Sequence, residues 1–328
     1  MLTFNAVALF SAALLVGAVY GAALLKFRLF PYRPLRWLYR RIKPGGVPPP
    51  YGPWTIGLVE GDDPLRLVAE STARNPILTA QDVTDLDARY IADPFLFRAG
   101  DTRYVFFEVV CRDNEQGDIA YAYCRDGGTW TYGRRIIDEP FHLSYPQVFE
   151  WQGERYLVPE SHEDLSVRLY RAEAFPDRWV HVGNLMSGFR FVDPTLFRHG
   201  GKWWMFVTTP ENAALNLFFS DDLLGPWTPH PLNPLIRHDP HTARPAGRVV
   251  TVDGRLIRFA QDDEPSYGIR VYAFEIVTLS ETEYVERPTT PHVVAGPSGS
   301  GWNAAGMHHM DLHREGGRWI AVVDGRAW

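Results

Sequence analysis

Residues 93–108 read DPFLFRAGDTRYVFFE. Asp93-Pro94 opens the stretch, an apolar run follows, Gly100 breaks it, and an aromatic-rich segment returns to Glu108. Apolar runs with period-two alternation, bounded by Pro, Gly and Asp, are the pattern of two antiparallel strands joined by a tight turn. The phrase comes back as YPQVFEWQGERYLVPE at 145–160 and as DPTLFRHGGKWWMFVT at 193–208. A weaker copy starts at Arg244-Pro245 and returns through GRLIRF at 254–259; a last one runs from His309 through Gly316-Gly317 to Val323. Pro94, Pro146, Pro194 and Pro245 lie 52, 48 and 51 residues apart, close to the roughly 40–50 residues of one propeller blade.

Most copies have a second half. Alternating runs at 119–123, 167–170, 215–219 and 269–274 are followed by shorter segments carrying Trp130, Trp179, Trp227 or Tyr284. Four strands per unit and five units predict an all-β fold, a five-bladed β-propeller over residues 51–328, which leaves only short sheet edges exposed. A β-sandwich shares the strand spacing but has no reason to repeat the phrase.

The chain before the repeats is of another kind. Residues 4–25 carry no charge and are almost wholly apolar, and at ~1.5 Å per residue they reach ~33 Å, enough to cross a hydrocarbon core. A cleaved signal peptide would carry its positive charge in front. Here Lys26, Arg28, Arg33, Arg36, Arg40, Arg41 and Lys43 follow instead, with no acid in residues 1–43. Basic residues mark the cytoplasmic side of a span. The reading is a single transmembrane helix in residues 1–25 of an inner or plasma membrane, with the propeller in the cytoplasm. A basic juxtamembrane segment and Pro/Gly linker then occupy 26–50, where Trp37 and Tyr39 suit the interface and the basic side chains suit anionic lipid. The whole chain has a net charge of −6, and setting those seven basic residues aside leaves −13 for residues 44–328. An acidic propeller is a poor nucleic-acid partner. Cys111 and Cys124 flank the returning strands of the first repeat, and they pair if the domain is exported and stay as buried thiols if it is cytoplasmic.

In a blade the first strand is innermost and the second runs back antiparallel, so the start of one and the end of the other open on the same face. That gathers Asp93 with Glu108, Tyr145 with Glu160, Asp193 with Thr208, Arg244 with Asp262, and His308, His309 and Asp311 with Asp324. The candidate catalytic residues are Asp93, Glu160 and Asp193; the candidate substrate contacts are Glu108, Tyr145, Arg244, Asp262, Trp302, His308, His309 and Asp311. Asp-Pro at a strand start is also an ordinary turn former. The histidines could close the ring through hydrogen bonds, and Trp302 could be core. The pattern His309-x-Asp311-x-His313 places three ligand types on one side of a strand but offers no fourth, so neither a metal nor a cofactor is expected.

The blade starts at Asp93-Pro94 and Asp193-Pro194, together with FFSDDLLGPW at 218–227, resemble the arabinanase, levansucrase and invertase-like propellers, glycoside hydrolase family 43 among them. HLSYPQVF at 142–149, YLVPES at 156–161 and DPHTARPAGR at 239–248 look closer to the propeller region of plant glucosamine inositolphosphorylceramide transferases and related bacterial proteins. In the plant proteins that region precedes a separate transferase domain. The hydrolase resemblance implies a base at Asp93, a tuning carboxylate at Tyr145 and a proton-donating Glu at Asp193; two of these three positions differ in residue type. Another pairing uses Glu160 as acid, Asp93 as base and Asp193 as stabiliser.

The function expected is a membrane-anchored carbohydrate-active protein, a glycosyltransferase working on an envelope glycan or lipid-linked acceptor, within a glycan-synthesis complex. The alternatives are a family 43-like glycoside hydrolase and a non-catalytic glycan-binding propeller. Fold by itself does not choose among them.

Overall fold

The computed structural model describes residues 52–71, 74–125, 127–210 and 214–328. The expected span and basic segment at 1–50 lie outside the described residues. Among those described, no helix is long and apolar enough to cross a membrane.

The strands form five sheets arranged as a five-bladed propeller. The N-terminal strand β1 (Trp54–Gly61) is followed by a short helix α1 (Leu67–Glu70). Blade 1 is β2 (Ala88–Ala99), β3 (Thr102–Cys111), β4 (Gly117–Arg125) and β5 (Thr131–Ile137). Blade 2 is β6 (Ser144–Trp151), β7 (Glu154–Glu160), β8 (Ser166–Ala174) and β9 (Arg178–Ser187). In blade 3, β10 (Val192–His199), β11 (Lys202–Thr208) and β12 (Ala214–Ser220) are edged by the short β13 (Thr228–Pro229) and β14 (Ile236–Arg237). Blade 4 joins β15 (Arg244–Pro245) and β16 (Val250–Val252) to β17 (Arg255–Asp262), β18 (Arg270–Leu279) and β19 (Tyr284–Ala295). Blade 5 has three strands rather than the expected four. The C-terminal hairpin β20 (Met310–Glu315) and β21 (Arg318–Arg326) takes β1 as its outer strand. Trp54↔Arg326 through Gly61↔Trp319 pair antiparallel, so the two ends of the described chain close the ring.

Five apolar clusters fill the five spaces between neighbouring blades. On β3, Val105, Phe107 and Val109 enter the core against blade 5, while Phe106 enters the core against blade 2. Both faces of each inner strand are therefore dry, which is why the inner strands read as nearly continuous apolar runs. Each fully buried Phe or Leu there stabilises the fold by about 1.5–3 kcal/mol.

The repeated X-Pro phrase has a structural cause. The pairing runs Ala92↔Glu108 and then Phe95↔Phe106, so Asp93 and Pro94 together face one residue of β3. The same shift occurs between Ser144 and Gln147 and between Val192 and Thr195. Two residues against one is a β-bulge, and Pro suits it because it has no N–H to leave unpaired. Asp93, Tyr145 and Asp193 adopt left-handed φ values of 52°, 48° and 49°, a conformation costing an ordinary residue of order 1–3 kcal/mol. In blades 1 to 3 the phrase is a strained bulge that re-aims one side chain, not a turn.

Cys111 and Cys124 do not face each other. Cys124 pairs with Arg103 at the far end of β3 from Cys111, and no disulfide joins them.

Candidate active site

The three bulges deliver their side chains to the propeller's axis, and the acids that end the second strands meet them there. These groups lie deeper than the rim expected from sequence: Asp93, Glu108, Glu160, Asp193, His308 and His309 are all buried. The acid of one blade clasps the bulge of the next. Asp193 N–H donates to Glu160 Oε2 at 3.2 Å, and Asp93 N–H donates to Asp324 Oδ2 at 3.2 Å. Asp324 Oδ1 also accepts the His308 and His309 amides, each at 3.0 Å.

Two clusters result. In the first, His308 Nε2 lies 3.3 Å from Asp93 Oδ1 and His308 Nδ1 lies 2.9 Å from Asp324 Oδ2. Burial pushes the Asp93 carboxyl up, but the bond and charge of His308, with His309 and Arg244 behind it, hold it down at about 2. In the second, Asp193 Oδ2 accepts from Arg244 Nε at 2.5 Å and from Gln261 Nε2 at 3.1 Å. Its other oxygen, Oδ1, is buried with no hydrogen-bond partner among the described residues. Burial drives Asp193 well above the usual carboxylate range; Glu160 and Asp93 add to that push, and Arg244 opposes it.

Two Glu–His pairs flank these clusters. His142 Nε2 lies 3.1 Å from Glu108 Oε1, and its Nδ1 accepts the Gly117 amide at 3.0 Å. His162 Nδ1 lies 2.5 Å from Glu160 Oε1. Burial raises Glu108 against the bond from His142. Burial also pushes Glu160 up, yet His162 and Arg244 outweigh it and leave Glu160 at about 2.

The other expected contacts are placed elsewhere. Tyr145 is fully buried; its hydroxyl lies 2.8 Å from Thr195 Oγ1 and accepts the Gly247 amide at 2.7 Å, while its ring meets Phe95 and His309 edge-on. His309 sits among those rings with neither ring nitrogen hydrogen-bonded among the described residues, and burial lowers its pKa. Asp311 lies further along the axis, gripped by Arg248, whose guanidinium also donates to the Leu96 carbonyl at 3.1 Å. Asp262 is taken up by His241 at 2.8 Å and the Tyr272 hydroxyl at 2.9 Å. Trp302 packs into the core between blades 4 and 5, and its ring fills the space a Cβ would need on Gly57 and Gly325.

Four residues of the site escaped the sequence reading. His142 and His162 each stand beside a candidate carboxylate; the Glu160-Ser-His162 spacing was the available signal for one of them. Tyr267 and Trp54 carried none. Tyr267 is 42% exposed, with the Arg244 guanidinium 5.3 Å from its ring centre and the His308 ring 5.3 Å away. It is an exposed aromatic face beside both clusters.

Asp93, His308 and Asp324 bring three ligand-type groups within 4.8 Å of one another. Each His308 nitrogen already faces a carboxylate, and both Asp324 oxygens accept backbone amides, so the arrangement works as a chain of ion pairs.

A five-bladed propeller with buried carboxylates brought together from several blades defines the class. Its fold is shared by the catalytic domain of a Coprinopsis cinerea GH62 α-L-arabinofuranosidase, at 12% identity and a TM-score of 0.55 over 84% of this chain and 98% of that one. The RS223 β-xylosidase shares it too, at 16% identity and a TM-score of 0.51 over 65% of this chain and 77% of that one. The chain belongs to the family described as "Glucosamine inositolphosphorylceramide transferase 1, N-terminal", whose pattern matches residues 48–326. The Oryza sativa subsp. japonica protein named glucosamine inositolphosphorylceramide transferase 1 is 34% identical over 347 aligned positions, 98% of this chain and 45% of that protein. The Arabidopsis thaliana protein of the same name is 35% identical over 298 positions, 84% of this chain and 39% of that protein. The chain thus spans less than half the length of the curated relatives it matches.

Proposed function

We propose that the propeller mouth handles a glycosyl group and that the protein is a membrane-anchored glycosyltransferase-type module, moving a sugar onto an envelope glycan or a lipid-linked acceptor. One observation carries the reading. Asp93 and Asp193 stand at equivalent bulges in opposite settings: Asp93 lies 3.3 Å from the His308 ring, which holds it as a carboxylate, while Asp193 is buried with Oδ1 unpartnered among the described residues and is pushed toward the protonated acid. Glycosyl chemistry asks for such a split pair, an acid for the departing oxygen and a carboxylate for the incoming group and the positive charge at the anomeric carbon.

The roles follow from the surroundings. Asp193 holds its proton on Oδ1, the oxygen without a partner, and gives it to the leaving oxygen as that bond breaks. Asp93 orients the acceptor hydroxyl, takes its proton as the new bond forms, and stabilises the positive charge. Glu160 is too firmly held as a carboxylate to be the acid proposed from sequence, so it serves to fix the Asp193 bulge. Tyr267 offers a face for a sugar ring. The relatives' name carries glucosamine, and an anchor with its basic segment in the cytoplasm would put the mouth where nucleotide sugars are made, within a glycan-synthesis complex.

A second reading, a non-catalytic glycan binder, is favoured by Glu160 and Asp324, whose oxygens are committed to holding neighbouring blades together. A thermal-shift screen of the full chain in detergent separates the readings, with UDP-N-acetylglucosamine and other nucleotide sugars set against oligosaccharides. Stabilisation by a nucleotide sugar, with turnover lost and binding kept in Asp93→Asn, supports transfer. Stabilisation by oligosaccharides alone, with no turnover, supports the binder.

A further inference from the structure

We propose that His308 is a fixed imidazolium wedged between Asp324 and Asp93 at the junction of blades 5 and 1, and that it is the positioning residue that keeps Asp93 a carboxylate. The role assigned to Asp93 rests on the functional reading above; the charge state of His308 does not.

Both ring nitrogens face carboxylate oxygens, at 2.9 and 3.3 Å. The Nδ1 contact is an ion-pair approach and not a linear hydrogen bond. A neutral imidazole has one N–H and would set its other lone pair against an oxygen. Only the doubly protonated ring suits both sides. The two Asp324 oxygens accept three backbone N–H groups, from His308, His309 and Asp93, which fixes that carboxyl beside the ring.

The ring has no room to swing. Trp54 lies against it with ring centres 4.2 Å apart, Tyr267 stands 5.3 Å away, and the Arg326 guanidinium sits 4.8 Å from the Trp54 ring. A Cβ on Gly268 would come within 2.8 Å of the His308 Cβ, so that turn also presses on it. The charged and titratable groups around it are Asp93, Asp324, His309, Arg244 and Tyr267, with Tyr90 on the far side of Asp93. His309 is its sequence neighbour and burial lowers it, so two adjacent histidines divide into one charged and one neutral. Burial works against the charge on His308, but Asp324 and Asp93 overcome it and push the ring up to about 10.

The test is nitrogen-15 NMR of the full chain with labelled histidine, in detergent and with a chelator present. Both His308 ring nitrogens are expected to stay protonated from about pH 6 to about pH 9, across the ordinary histidine midpoint of about 6.5. A single-N–H tautomer, or a midpoint near that ordinary value, overturns the proposal. In Asp93→Asn, with the fold checked by circular dichroism, the His308 midpoint should fall by at least about one unit, roughly a tenfold change in proton affinity; an unmoved midpoint refutes the bridge. His308→Gln should move the acid limb of sugar binding or turnover upward, toward the ordinary Asp value of about 3.9. A limb that stays where it was, with binding intact, removes the positioning role. If no glycosyl compound binds the wild type at all, the functional reading fails while the NMR result still decides the charge of His308.

Discussion

Asp93 and Asp193 are the same residue at the same place in two blades. Each precedes a proline, sits in a β-bulge, and has nearly the same left-handed φ, 52° and 49°. Each donates its amide to an acid of the preceding blade. Their chemistry nevertheless diverges, because one meets an imidazole braced by a second carboxylate and the other shares its cavity with Arg244 and a nearby Glu160. The repeat sets the position of a side chain, and the neighbouring blade sets its protonation. A split in charge state can thus arise from a repeated element without changing the repeated residue.

The comparison can be broken most forcefully at Arg244. Arg244→Ala removes a donor from Asp193 Oδ2 and leaves that buried oxygen short of a partner, at a cost of about 1–3 kcal/mol. Chemical denaturation of the full chain should show that loss. Asp193→Leu added to Arg244→Ala should restore part of it, because no buried polar oxygen is then left without its donor.

The next effect is a pH dependence with opposite signs on the two sides. A raised imidazole such as His308 stabilises fully below its unfolded value of about 6.5, and that stability is lost as pH rises through about 10. The depressed carboxyls of Asp93 and Glu160 stabilise above their unfolded values and lose that contribution as pH falls through about 2. The raised carboxyl of Asp193 acts the other way, stabilising below its unfolded value and losing that contribution as pH rises toward its folded one. Tm measured against pH should therefore drop on the alkaline side by roughly 5 °C or more, and the part of that drop owed to His308 should vanish in His308→Gln.

Amide substitution sharpens the contrast further. Asp93→Asn removes an anion that is bonded as an anion and should cost about 2 kcal/mol. Asp193→Asn resembles the protonated acid and should cost less than about 1 kcal/mol. Equal losses in equilibrium denaturation would mean that the two carboxyls share one charge state. The smallest effect belongs to Tyr267→Phe, under about 0.5 kcal/mol of stability because the side chain is half exposed. Tyr267→Ala should lower affinity for a sugar ligand in titration calorimetry while leaving Tm nearly unchanged.

Much of the fold was legible in the chain. The recurrence from Pro94 to Pro245 set blade length, and with the last copy from His309 it set blade number, since each blade must bury two faces and so repeats the same apolar run. What that reading missed was local. The X-Pro dipeptides did not read as bulges, because strain at Asp93, Tyr145 and Asp193 shows only against the partner strand. Among the described residues blade 5 has three strands, and its outer one, β1, lies more than 250 residues upstream of its partner β21, a pairing that periodicity does not encode.

The site divides the same way. Sequence grouped Asp93, Glu160, Asp193, Arg244 and His308 on one face, since the antiparallel hairpin dictates which strand ends share it, and the structure brings them together. It also placed Tyr145 and Trp302 at the mouth, where the tertiary structure packs one among core rings and sets the other over two glycines. Sequence alone determined how many blades there are and which residue types reach the axis, because those depend on repeat length and strand direction. Only the tertiary structure decided which carboxylate keeps its charge, because a buried pKa is set by the few groups within hydrogen-bonding reach, and for Asp93 and Asp193 those groups come from other blades.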